Sequence, residues 1–184
     1  MKGIRMICCS MLLLINLGMS NEPHDANAVD LFDAYQIAFA EAIKWEEDAL
    51  PYFITSVDDR IDDVFVKGED GKRHYWNFDF VVENTNKHFI ITLHDKAIVN
   101  IIEAESCANN DCIIDIEKLN ISTVEAVLIA KETYGLLPGT DWAQGYHFVL
   151  ENEGMVLVLA VVGLNESGEM SRIFFNAETG TVIS

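Results

Sequence analysis

Asp79 stands between Phe78 and Phe80 in the sharpest alternation of the chain, His74-Tyr75-Trp76-Asn77-Phe78-Asp79-Phe80-Val81-Val82-Glu83. A carboxylic acid among aromatic side chains loses hydration, holds its proton more tightly and then suits proton transfer near neutrality. Alternation, however, puts His74, Trp76, Phe78, Phe80 and Val82 on one strand face and Tyr75, Asn77, Asp79, Val81 and Glu83 on the other. Asp79 is therefore expected opposite the apolar face, towards water. The histidines are no better grouped. His74 sits at the edge of the apolar face, and His147 opposes Tyr146 and Phe148. His88 and His94 share a strand face, but six residues at about 3.3 Å each separate them by roughly 20 Å. That is too far for a shared metal.

The acids Asp58, Asp59, Asp62 and Asp63 crowd one stretch, where a calcium ion would relieve repulsion. The glycine and the closing bidentate glutamate of a calcium loop are both missing. No His-Glu-x-x-His, Gly-x-Ser-x-Gly or phosphate-binding loop occurs. The residues thus define no catalytic set, no cofactor site and no metal centre. A formal charge of −18, spread through both halves, repels phosphate backbones and excludes nucleic acid as a partner.

Residues 1–20 read as a signal peptide. Lys2 and Arg5 precede the apolar run Met6–Leu17, and Gly18-Met19-Ser20 offers small residues for cleavage. The run is shorter than the roughly 20 residues of a membrane span, and Met155–Leu164 is shorter still. Export to the periplasm or the extracellular space without a membrane span is expected. Cleavage takes the charge from −18 to −20, because two bases leave and no acid does. Two cysteines then remain, in Cys107-Ala-Asn-Asn-Asp-Cys112. An oxidising compartment and this spacing predict a local disulfide rather than a redox pair or zinc site.

Positioning these residues requires a helix-and-strand scaffold. Residues 21–29 are polar and predict a flexible N-terminus. A helix is expected from the N-cap Asp30, with Phe32, Tyr35, Phe39, Ala42 and Ile43 on its buried side and Pro51 ending it or starting the next element. Strands are expected at Tyr52–Val57, Ile61–Lys67, the alternating run, Phe89–Leu93 and Ile98–Ile102, with turns at Gly68–Gly71, Asn84–Lys87 and Asp95-Lys96. Residues 105–120 form a connector. Ser122-Thr-Val-Glu125 is a capping box, from which a helix should run to Gly135 with Val124, Val127, Leu128 and Tyr134 inward. Strands follow at Tyr146–Leu150, Met155–Leu164, Met170–Phe175 and the C-terminus. The nearly continuous apolar run of Met155–Leu164 predicts a strand covered on both faces. The order divides the chain into two helix-plus-antiparallel-sheet units, 30–104 and 121–184, each a helix followed by about four strands, an α+β fold with an internal repeat of pattern.

Ile121-Ser122-Thr123-Val124-Glu125-Ala126 with Ile129-Ala130 resembles the opening helix of a PepSY domain. Phe174-Phe175-Asn176-Ala177-Glu178-Thr179-Gly180-Thr181-Val182 resembles that family's closing strand and turn, with Asn176 where aspartate is usual. The likeness is clearer over 121–184 and fainter over the first unit. It implies a non-enzymatic exported binding module, a peptidase inhibitor or cell-envelope regulator, whose partner is a peptidase or envelope protein. A second reading is a small-molecule enzyme or carrier, with a pocket on a curved sheet around Trp76, Phe78, Phe80 and Asp79.

Overall fold

The structure, a computed structural model, describes residues 26–57, 67–140, 143–154 and 156–183. The expected signal peptide, the acidic cluster Asp58–Asp63 and all but Lys67 of the strand expected at Ile61–Lys67 lie outside these residues. Lys67 is in a turn.

Helix α1 (Leu31–Trp45) begins at Asp30, whose Oδ1 accepts from the Asp33 amide at 2.9 Å. Four strands follow: β1 (Leu50–Ser56), β2 (Tyr75–Val81), β3 (Lys87–His94) and β4 (Ala97–Glu105). A connector with two single 3₁₀ turns leads to α2 (Thr123–Tyr134), then β5 (His147–Glu153), β6 (Val156–Leu164), β7 (Met170–Asn176) and β8 (Thr181–Ile183). The capping box is formed in full by Ser122 and Glu125, and Gly135 closes α2 in the left-handed region at φ 63°.

The expectation of two helix-plus-sheet units is corrected by the strand pairing. All eight strands form one antiparallel sheet in the order β4-β3-β2-β1-β5-β6-β7-β8. β1 and β5 are hydrogen-bonded neighbours, with Ile54 opposite Leu150 and Thr55 opposite Val149. A four-stranded sheet ending at β1 would leave a row of unpaired amides and carbonyls, and pairing with β5 removes that edge from both halves. Most buried side chains likewise merge into one cluster running from Val29 to Ala177, with Val158, Ala160 and Val162 buried outside it. Alternation reveals a strand and its faces but carries no mark of which distant edge it will meet.

Both helices lie on one side of this sheet, α1 against β2 and β3, α2 against β6 and β7. Beneath them Trp76, Phe78, Phe80, Phe148 and Phe175 are fully buried, each contributing about 2 kcal/mol of apolar burial. The helices meet these large residues with small ones: Ala34, Ala38 and Ala42 from α1, Ala126 and Ala130 from α2. This corrects the expected inward faces, since Phe32, Ile43, Val124, Leu128 and Tyr134 are exposed. An alanine stripe brings each helix close enough for the aromatic residues of the sheet to fill the gap. Tyr35 is buried as expected, and its hydroxyl is pushed up to about 12 by burial.

Pro51 lies inside β1 rather than ending α1, at a break in register between Pro51 and Phe53 that tolerates its missing amide. Its carbonyl accepts from Ile114, tying down the connector at 2.7 Å. Val29, at the end of the expected flexible N-terminus, exchanges two backbone hydrogen bonds with Arg73. The turn Gly68–Gly71 forms as expected. Thr123 Oγ1 donates to the Gly71 carbonyl at 2.6 Å. A Cβ on Gly71, at φ 80°, would lie 2.4 Å from Val124 N and Cα, so only glycine fits against the start of α2. β6 is buried on both faces from Leu157 to Gly163, as its composition predicted.

Candidate functional site

The face of the sheet opposite the helices carries the polar residues that alternation turned away from the core. Its registers define two rows. One runs Ile102, Ile90, Asp79, Phe53 from β4 to β1, then Glu151, Val158, Asn176, Thr181 from β5 to β8. Glu151 stands one residue beyond Leu150, the partner of Ile54, on the same side as Phe53 and one residue past the end of the β1–β5 pairing. The other row runs Asn100, Thr92, Asn77, Thr55, Val149, Ala160, Phe174, Ile183. Helices α1 and α2 pack on the other face, while Val158 and Ala160 within these rows are themselves buried.

Asp79 is held near the middle of the first row by β2, whose other face anchors Trp76, Phe78 and Phe80 in the core. Its carboxylate is 21% exposed, less open than alternation alone predicted. His88, on β3, closes over it: Nδ1 lies 3.0 Å from both Oδ1 and Oδ2. Tyr52 meets the His88 ring edge-on at 5.6 Å. Burial pushes the Asp79 carboxyl above its usual value, while the His88 hydrogen bond and charge pull it partly back. Glu151 is likewise raised, by burial first and by Glu153 second, with Arg172 opposing. The central strands thus hold two acids in partly desolvated settings, one on each side of Phe53.

Two buried polar atoms near Asp79, Asn77 Oδ1 and His88 Nε2, are left without hydrogen-bond partners among the described residues. At the far end of β2 and β3, Asp95 contacts His74 Nδ1 at 2.5 Å, and His94 stacks on Tyr75 at 4.0 Å. His147 reaches Ser56 Oγ at 3.3 Å. Among the described residues, no group of three or more His, Cys, Asp or Glu is placed to hold a metal.

The residues named for a pocket do not converge. Trp76, Phe78 and Phe80 are packed in the core without exposure, and Asp79 is on the other face of their strand. A cavity of about 390 Å³ lies elsewhere, between α1, the start of β1 and the connector, lined by Tyr35, Phe39, Pro51, Ile114 and Ile116 among others. Cys107 and Cys112 are free thiols in this structure, the first exposed and the second half-buried, in place of the expected disulfide.

His88, Phe53 and Glu151 were missed as members of one site. The signal for Glu151 was present, since His147, Val149 and Glu151 alternate with Phe148 and Leu150 just as Asp79 alternates with Phe78 and Phe80. What no local pattern supplied was the pairing of β1 with β5 that brings Glu151 beside Phe53. Among the described residues, no helix is long and apolar enough to cross a membrane.

No family profile matches the chain, and no curated protein does. Among solved structures, a chain described as a putative lipoprotein from Clostridium difficile 630 is similar at 10% identity and a TM-score of 0.49, covering 82% of this chain and 90% of that one.

Proposed function

We propose that the chain is an exported, non-enzymatic binding protein that engages a protein partner through the sheet face opposite its helices. The carrying observation is that face itself: two side-chain rows crossing eight strands, apolar at intervals and polar at the centre, on the side away from α1 and α2, with exposed or half-buried residues on every strand but β6. Its size fits the role. Eight strands about 4.8 Å apart and roughly 23 Å long present on the order of 800 Å², one partner's share of a standard interface. The apolar segment Met6–Leu17 behind Lys2 and Arg5 supports export. The PepSY resemblance of Ile121–Ser184 supports a peptidase or envelope protein as the partner, with inhibition or envelope regulation as the outcome.

The test is capture of a discrete protein from the producing cell's own exported fraction by the mature chain and by Thr55→Arg. Thr55 lies in the middle of the second row, so arginine there obstructs the face while its polar end reaches water. Loss of capture at unchanged melting temperature supports the reading. Capture that Thr55→Arg leaves intact overturns it.

A further inference from the structure

We propose that the partner seats an arginine guanidinium over Phe53, between the carboxylates of Asp79 and Glu151. This inference rests on the docking reading above and adds the chemistry of its central contact.

Phe53 is on β1, directly opposite Asp79 of β2, and Glu151 of β5 stands on the same side, one residue past the end of the β1–β5 pairing at Ile54 and Leu150. Strand spacing puts each carboxylate about 5 Å to one side of the ring and the two roughly 10 Å apart. A planar cation above the ring then lies within about 6 Å of the aromatic face and within reach of both acids. Phe53 is half-buried, which leaves part of it to a ligand.

The two carboxylates that flank this seat accept hydrogen bonds and donate none. Asp79 keeps 21% of its side chain exposed and Glu151 is half-buried, so each carboxylate can still accept from a ligand. Thr55 spends its hydroxyl proton on the Ser56 carbonyl at 3.0 Å. Arginine donates five N–H groups and accepts none, so its inventory complements the two carboxylates. Arg172, which acts on Glu151, stands on β7, two strands further away. The chain's charge of −18 adds long-range attraction for a basic surface.

The probe is N-acetyl-arginine amide, titrated into the isotope-labelled mature chain and followed by amide chemical shifts. Its neutral isostere, N-acetyl-citrulline amide, is the control ligand. Expected are saturable shifts centred on Phe53, Asp79 and Glu151, absent with citrulline. The Kd should rise at least tenfold in Asp79→Asn/Glu151→Gln and less than twofold in Glu132→Gln/Glu166→Gln, which removes the same charge away from the face. Shifts spread over the acidic surface, equal binding by both double variants, or no saturation each overturn the assignment. So does a dimer in sedimentation that Thr55→Arg dissolves, because the face is then occupied by a second copy. If Thr55→Arg abolishes partner capture while the arginine probe does not bind, docking stands and the guanidinium assignment falls. If Thr55→Arg leaves capture intact, the docking reading itself falls.

Discussion

His88 Nδ1 stands 3.0 Å from each carboxylate oxygen of Asp79, which makes the imidazole the partner that keeps a half-buried acid on this sheet face. The pairing is one-sided, because burial still outweighs it and leaves the Asp79 carboxyl above its ordinary value of 3.8.

This imbalance makes stability depend on pH. From about 3.8 up to the raised folded value, the native chain binds more protons at Asp79 than the unfolded chain does. Stability from this group is therefore lost as pH rises through that window and recovered on acidification. Asp79→Asn stays neutral and keeps an acceptor for His88. Its melting temperature relative to the parent should increase as pH rises from below 3.8 towards neutrality. A difference that stays constant with pH contradicts the account.

Arg73 is a buried cation with no signature in the local sequence. Its guanidinium donates to the carbonyls of Gln144 at 3.1 Å, Tyr146 at 3.4 Å and Val57 at 2.9 Å, joining the turn before β2 to the approach to β5. Arg73→Met keeps apolar bulk but orphans those carbonyls. It should cost about 3 kcal/mol in urea unfolding, against less than about 1 kcal/mol for an exposed arginine.

Asn176 Oδ1 accepts from the amides of Glu178 at 3.0 Å and Thr179 at 3.1 Å, building the turn between β7 and β8. Aspartate offers the same oxygen and alanine offers none. Asn176→Ala should lower stability by about 1 kcal/mol, while Asn176→Asp should lie within about 0.5 kcal/mol of the parent. Equal losses in calorimetry count against the turn's dependence on that oxygen.

Cys107 precedes the 3₁₀ turn Asn110–Cys112, which Cys112 ends, and both are free thiols in this structure. In protein recovered from the exported fraction they should be bridged, lowering the intact mass by about 2 Da and adding roughly 2 kcal/mol of stability. Two thiols titrating in that material would contradict the expected export route.

Local patterns in the sequence carried much of the fold. The alternation of Trp76, Phe78 and Phe80 marked the core face of β2, the box of Ser122 and Glu125 marked the start of α2, and the apolar run of β6 marked a strand buried twice over. The inward helix faces were misread because large residues outrank alanine in any hydrophobic count, whereas close approach to an aromatic-laden sheet selects alanine at positions 34, 38, 42, 126 and 130. The single sheet was not legible at all, since Ile54 and Leu150 meet from opposite halves of the chain. The candidate site was half legible. Asp79 was picked out by its aromatic neighbours and correctly turned from them, but His88 was read alone, and Phe53 and Glu151 become neighbours only through the β1–β5 pairing.

Site-specific photo-crosslinking in the producing cell tests the central claim most directly. A benzoylphenylalanine at Val149, half-buried in the middle of the face opposite the helices, is compared with one at Leu128, exposed on α2. The account expects a discrete crosslinked protein from Val149 and none from Leu128. Crosslinking from Leu128 alone, or from neither position, would contradict it.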